Sequence, residues 1–285
     1  MKMKNLGYYN GRYDLLENMQ IPMNDRGYYF GDGVYDASYM ENNRIFDLDS
    51  HIRRFFNSAK LIGIQMDFSQ QRLRELLEEL AKKVEGGGYL AYWQVTRGTG
   101  IRRHYSEGLK PNLAVMFLPS RLRGEQEGMR VKTYPDKRYE YCNVKSLNLI
   151  PNVLGAAWAE RDGCDEILFI RDGIVTECAH SNVHMIKDGI VYTHPADQHI
   201  LPGIARAHML AACSRLGIPY QEKLCSLEEF LEADEVFITS SATPCSRVEE
   251  IDGKMTRHSG ETIFLQLQDY VYREMCRELM LESED

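Results

Sequence analysis

Three short segments carry residue types that could act together on one ligand. Lys145 lies in Asn143-Val144-Lys145-Ser146-Leu147-Asn148-Leu149, directly before the apolar, helix-like run Ile150 to Ala159. The second segment, Val175-Thr176-Glu177-Cys178-Ala179-His180-Ser181-Asn182, offers one carboxylate among small residues. In the third, Leu201-Pro202-Gly203-Ile204-Ala205-Arg206, Pro and Gly open a stretch that reads as a helix, and a helix start offers N–H groups to an anion. A lysine amine can form a Schiff base, a carboxylate can hold a proton on a ring nitrogen, and a helix start can cradle a phosphate. Any one of them alone is weak: the lysine could be a solvated surface residue and the glutamate an exposed strand-end acid. The reading of Lys145 expects a cysteine-containing apolar strand before it, at Cys142, and a buried helix start after it.

Joined to Asp25-Arg26-Gly27-Tyr28-Tyr29-Phe30-Gly31-Asp32-Gly33-Val34-Tyr35 and His51-Ile52-Arg53-Arg54, these segments resemble the fold-type IV pyridoxal phosphate enzymes. That family includes D-amino acid aminotransferases, branched-chain aminotransferases and aminodeoxychorismate lyases. The resemblance runs from about Gly7 to about Gly253 with the motifs in family order, and it is greatest toward the D-amino acid enzymes. It implies an α+β fold of two domains, a smaller N-terminal α/β domain and a larger C-terminal mixed domain, with pyridoxal 5'-phosphate as cofactor. Lys145 would carry the cofactor and shuttle the substrate proton, work that needs an amine of lowered pKa. Glu177 would hold the pyridine nitrogen protonated, and Arg54 would bind the phosphate with its planar fork while Arg53 points away. Ile204 and Ala205 would meet the phosphate through backbone N–H groups, and Leu201 would press on the ring.

Two positions depart from the family pattern. Ala205 stands where a threonine often adds a hydroxyl to the phosphate; Ser240 and Ser241 are candidates to replace that contact, or ordinary loop serines. The serine-rich form after the glutamate is altered to Cys178-Ala179-His180-Ser181, so His180 is either a titratable group near the ring or a structural histidine. Cys142 and Cys178 read as small buried fillers rather than nucleophiles.

Substrate choice turns on Arg102 and His104. The resemblance implies that this Arg-x-His pair reaches into a neighbouring subunit and, with Tyr35, traps the substrate α-carboxylate, which makes a homodimer with a shared site the expected assembly. Without it, the pair would be a solvated loop. The implied reaction moves the amino group of a D-amino acid such as D-alanine to a 2-oxo acid such as 2-oxoglutarate. Branched-chain L-aminotransferase, aminodeoxychorismate lyase, a cofactor-binding protein without turnover and a cofactor-free lysine Schiff-base lyase are the alternatives.

Composition sets the frame. A chain of 285 residues suits two domains, and the polar stretch Pro119 to Gly128 is the expected linker, giving domains 1–118 and 129–285. Net charge is −8, from 34 basic and 42 acidic residues without a basic stripe, so no nucleic-acid partner is expected. No apolar run approaches the roughly 18 residues of a membrane span, and Met1 to Tyr8 lacks the apolar core of a signal peptide. Seven cysteines without a Cys-x-x-Cys pair indicate neither disulfides nor a zinc ribbon, so no metal is expected and a reducing cytoplasm fits.

Local patterns supply the elements. Hairpin turns are expected at Asn10-Gly11 and at Lys187-Asp188-Gly189, and a polar turn at Glu41-Asn42-Asn43 between strands Val34 to Met40 and Arg44 to Leu48. Asp49 or Ser50 should cap a helix bearing Ile52, Phe55 and Ala59, and Ser69 the next, bearing Leu73, Leu77 and Leu80 until Gly86-Gly87-Gly88 stops it. Strands are expected at Tyr89 to Thr96, Leu113 to Leu118, Met129 to Tyr134, Glu166 to Ile170 and Glu235 to Thr239. Helices are expected at Ile204 to Leu216 and from Gly260 to Glu282.

Overall fold

The computed structural model describes residues 2–281, and these divide into two compact units. Residues 2–122, 144–148 and 275–281 form the first; 123–143 and 149–274 form the second.

The first unit is an antiparallel sheet with helices. Strands β1 (Leu6–Tyr9) and β2 (Arg12–Leu15) make a hairpin whose turn residues, Asn10 at φ 45° and Gly11 at φ 97°, take the left-handed conformation a two-residue turn demands. Helix α1 (Arg26–Phe30) leads to β3 (Gly33–Glu41), and Asn42 and Asn43 turn the chain into the short β4 (Arg44–Ile45). Helices α2 (Leu48–Leu61) and α3 (Gln70–Ala81) precede β5 (Tyr89–Thr96) and β6 (Asn112–Pro119). The sheet order is β2-β1-β6-β5-β3-β4. Ile52, Phe55, Leu73, Leu77 and Leu80 from the helices share one core with Trp93, Val95, Val115 and Phe117.

One cap and one helix end differ from expectation. α2 is capped by Asp47, whose side chain accepts from the Ser50 N–H, because the chain leaves β4 after two residues and Asp47 takes φ 40°. α3 is capped by Ser69 as expected but ends at Ala81, ahead of the glycines, which instead lead into β5.

The second unit holds β7 (Met129–Pro135), α4 (Ile150–Arg161), β8 (Glu166–Arg171), β9 (Ile174–Cys178), β10 (Asn182–Lys187) and β11 (Ile190–Thr193). These are followed by α5 (Ile204–Leu216), β12 (Tyr220–Glu222), α6 (Leu227–Leu231), β13 (Glu235–Thr239), β14 (Ser246–Ile251) and β15 (Lys254–Met255). The sheet runs β12-β11-β10-β13-β14-β7-β8-β9, with β15 on β14; β7 is parallel to both its neighbours. The final helix α7 (Glu261–Leu279) begins one residue after its expected start; its expected end, Glu282, lies outside the described residues.

The expected boundaries thus differ from the observed units at 144–148 and at 275–281, both of which belong to the first. For 144–148 the reason is backbone pairing: the Tyr35 N–H donates to the Lys145 carbonyl at 2.9 Å, and Leu147 N–H to Gly33 O at 3.0 Å. For 275–281 it is packing, since Met275 and Leu279 share a buried cluster with Tyr39 and Phe46. No helix among the described residues is long and apolar enough to cross a membrane.

Candidate functional site

In the first unit Lys145 is bound to β3 by its backbone rather than lodged in a strand of its own. The residues before it, 136–143, form turns and loops, and the helix after it starts exposed, Ile150 being 70% accessible, so the expected strand and buried helix start are both absent. Lys145 donates its N–H to Ser58 Oγ at 3.2 Å, and its Nζ lies 3.3 Å from the Tyr35 hydroxyl and 4.4 Å from the centre of that ring. Tyr35 in turn stacks on Tyr92 at 5.3 Å. Gly33 permits this approach: a Cβ there would stand 2.5 Å from Val95 O and 2.7 Å from Leu147 Cδ1. The amine is therefore half-buried, on a segment bonded through its backbone to β3, beside a phenol.

Arg54 is buried in α2 and bound to Asp36 of β3 through two nitrogens, Nε at 2.9 Å and Nη2 at 2.8 Å. His51 Nδ1 meets the same carboxylate at 2.7 Å. Burial would raise the Asp36 carboxyl, but the charges of Arg54 and His51 outweigh it and hold the group well below the usual carboxylate range. Burial lowers the His51 imidazole despite Asp36. The result is a guanidinium whose plane is fixed. Arg53 is exposed and bonds Ser50, as expected of a surface residue.

Arg102 and His104 lie on the exposed loop between β5 and β6, and both sit against Phe30: the Arg102 guanidinium 5.0 Å from the ring centre, the His104 ring 5.4 Å from it. The loop is anchored by buried Arg26, which donates to the carbonyls of Arg103 and His104 and to Ser106 Oγ, while Asp32 holds its Nε at 2.7 Å.

In the second unit Glu177 ends near the C-terminus of β9, 6% exposed, with both oxygens engaged. Oε1 is paired with Arg138 Nη1; Oε2 accepts from Asn182 Nδ2 and from the Leu201 N–H, each at 3.0 Å. Arg138 forks onto Asp136 as well, at 3.0 and 2.8 Å, and reaches Thr176 Oγ1 and the His199 carbonyl. Burial opposes the Arg138 charge, but Glu177 and Asp136 more than compensate and raise its pKa; for Asp136, the burial penalty is outweighed by Arg138, bringing its carboxyl down to about 2.

The same side chains place the helix start. Asn182 Nδ2 also holds the Leu201 carbonyl at 3.0 Å, and a Cβ on Gly203 would strike Asn182 Oδ1 at 2.0 Å, so only glycine fits. Gly203 caps α5 with no side-chain acceptor for the first N–H groups, and Ile204 and Ala205 are half-buried there. Register pairs Asn182 with Thr239, so Ser240 follows directly beside it, its N–H closing a turn on Thr243. Glu177, Leu201 to Ala205 and Ser240-Ser241 are thus gathered around Asn182 at one end of the sheet.

His180 has a partner: its side chain is 63% exposed and its Nδ1 lies 2.9 Å from buried Glu166, which also takes the Ser181 hydroxyl at 3.1 Å. Burial raises the thiol of Cys178 well above its ordinary value and, despite Arg138, that of Cys142 to about 11, so neither is a ready nucleophile. Sequence reasoning missed Asp36 and Arg138, and quoted Arg26, His51 and Asn182 in its motifs without giving them a role. Asp136-x-Arg138, seven residues before Lys145, was the available signal for one of them.

A family model described as amino-transferase class IV matches residues 33–251. D-alanine aminotransferase of Bacillus licheniformis is 40% identical over 252 residues, 86% of this chain and 88% of that one. D-alanine aminotransferase of Listeria monocytogenes is 36% identical over 269 residues, 92% of this chain and 93% of that one. Among solved structures, the branched-chain aminotransferase of Thermoproteus uzoniensis with norvaline superposes with a TM-score of 0.88 at 22% identity, covering 98% of this chain and 96% of that chain, a likeness of fold.

Proposed function

The chain belongs to the class IV aminotransferase family, and from that premise we propose that it moves the amino group of a D-amino acid of the D-alanine type to a 2-oxo acid of the 2-oxoglutarate type. One observation carries the choice of D-substrates. Arg102 and His104, the pair that would take the α-carboxylate, stand together on one anchored loop in a chain 40% identical to a D-alanine aminotransferase. The branched-chain reading rests on likeness of fold alone.

The cofactor is pyridoxal 5'-phosphate, which when bound supplies an aldehyde carbon for the substrate amine and a ring that draws electrons from the substrate Cα. The donor set fits it: a half-buried amine, a buried carboxylate and a helix start without a side-chain cap. Lys145 Nζ carries the proton at the substrate Cα, and the Tyr35 hydroxyl beside it orients the amine. Glu177 would offer its carboxylate to the pyridine nitrogen, with Arg138 paired to one of its oxygens and Asn182 holding the other. In the first unit Arg54, its plane fixed by Asp36, would offer its guanidinium to a phosphate; in the second, the N–H groups of Ile204 and Ala205 would do so, with Ser240 or Ser241 supplying the hydroxyl that Ala205 lacks. Leu201, clamped at both backbone atoms, would pack on the ring.

The partner is a second copy of the chain, into whose site Arg102 and His104 reach. The exposed apolar side chains Ile150, Val153 and Leu154 of α4, with Tyr139 and Tyr141 also exposed, support an interface of this kind. All seven cysteines remain thiols, which supports a cytoplasmic location. The test is stereochemical: with 2-oxoglutarate as acceptor, D-alanine should yield pyruvate and glutamate while L-alanine does not react. Turnover of L-alanine or branched-chain L-amino acids in preference to D-alanine overturns the reading.

A further inference from the structure

We propose that His194, Asp197 and His199, in the segment between β11 and α5, form a binding site for a single divalent cation of the zinc class. Each offers one donor, and the three donors lie within 4.8 Å of one another. His199 Nδ1 is 3.4 Å from Asp197 Oδ2, and His194 Nδ1 is 3.8 Å from Asp197 Oδ1. Zinc bonds of about 2.0–2.2 Å place tetrahedral neighbours roughly 3.4 Å apart, so the ion needs only small side-chain movements. Two imidazoles and a carboxylate suit zinc, cobalt or nickel; magnesium and calcium prefer oxygen ligands throughout. The fourth position is left for water.

The backbone already holds the ligands in place. His199 N–H donates to Asp197 Oδ1 at 2.8 Å and Asp197 N–H to the Pro195 carbonyl at 2.8 Å, while Arg138 holds the His199 carbonyl at 3.0 Å. His194 is 5% exposed, so its ring is fixed by packing. Its Nδ1 also lies 2.9 Å from the Pro195 carbonyl, so coordination through Nδ1 moves the ring proton to Nε2 and loosens that contact. The same segment continues to Leu201, whose N–H and carbonyl are held by Glu177 and Asn182. An ion on Asp197 and His199 would restrain that segment from its other end.

The site stands independently of the cofactor reading, and its test is binding. Holoenzyme stripped with a chelator and desalted is titrated with Zn2+ by calorimetry, without substrate, since amino acids themselves chelate metals. Wild type should take up a single equivalent saturably and melt at a higher temperature with Zn2+ present. Asp197→Asn and His199→Gln should each weaken binding by about tenfold or more and abolish the melting shift. His258→Gln, on a histidine paired with Glu235 instead, should bind as wild type does. No saturable uptake, or equal affinity in wild type and both ligand variants, reduces the cluster to a hydrogen-bonded loop and overturns the proposal.

Discussion

Replacing Arg138 with methionine removes the cation that two buried carboxylates share. The side chain of Asp136 is 0% accessible and that of Glu177 8%, and Arg138 is paired with both. Deleting one partner of a buried pair costs about 3–5 kcal/mol. Arg171, 3.3 Å from Asp136, offsets part of that loss, so a destabilisation of about 2–4 kcal/mol at pH 7 is expected. The pH dependence has a definite sign. Asp136 is lowered to about 2 because Arg138 outweighs the burial penalty, so its share of stability is present above the unfolded carboxyl value and lost as pH falls toward 2. Allowing for screening, that share is on the order of 1–2 kcal/mol. The gap between wild type and Arg138→Met should therefore narrow between about pH 4 and pH 2. Urea unfolding followed by circular dichroism at pH 7, 4 and 3 measures it, with Arg138→Lys as the variant that keeps the charge but loses the fork. A gap under about 1 kcal/mol at pH 7, or one that widens on acidification, refutes the account.

Glu177→Gln should slow the proton-transfer half-reaction more than it weakens substrate binding, because the charge it stabilises develops in the transition state; single-turnover kinetics showing a raised KM with unchanged kcat would contradict that role. Ala205→Thr should tighten cofactor binding by about 0.5–1.5 kcal/mol, read from cofactor release on dilution, and weaker retention would mean that this helix start does not face the phosphate. Arg102→Ala should cost about 2–5 kcal/mol in kcat/KM for D-alanine with cofactor affinity unchanged. Mixed with Lys145→Ala subunits it should regain activity, since one site of the heterodimer then combines an intact lysine with an intact partner arginine; mixed dimers that form and stay inactive exclude action across the interface.

What the sequence made legible was what local chemistry decides. The strands Tyr89–Thr96 and Glu235–Thr239 and the helix Ile204–Leu216 lie where alternation and helical spacing put them, and the turns at Asn10-Gly11 and Asp188-Gly189 carry the positive φ values those residues permit. The cap of α2 was misplaced because three candidates within four residues, Asp47, Asp49 and Ser50, compete, and the choice among them depends on how early β4 releases the chain. The long-range ion pairs and hydrogen bonds could not be read in this way. Arg138 and Glu177 are 39 positions apart, Asp36 and Arg54 18, Arg26 and the His104 carbonyl 78, whereas a sequence pattern carries information only over a turn or two.

Those unread partners explain how the legible residues can function. A lysine at the end of a flexible loop would lose orientation with each fluctuation; Lys145 does not, because its carbonyl, its N–H and the N–H of Leu147 are all bonded to residues of the first unit, two of them on β3. A lone buried carboxylate would lack a partner for its charge; Glu177 is held against a guanidinium that Asp136 fixes in place. A lone arginine could turn in its pocket, but Arg54 is forked onto Asp36, one residue along β3 from Tyr35. The strand that positions the Lys145 amine thus also positions the proposed phosphate-binding guanidinium, and Asp36→Asn should disturb cofactor retention while leaving the Lys145 backbone contacts intact. Cofactor release measured beside amide exchange at Tyr35 and Leu147 separates the two effects: faster release with unchanged exchange supports the division of labour on β3, and unchanged release shows that Arg54 does not depend on Asp36.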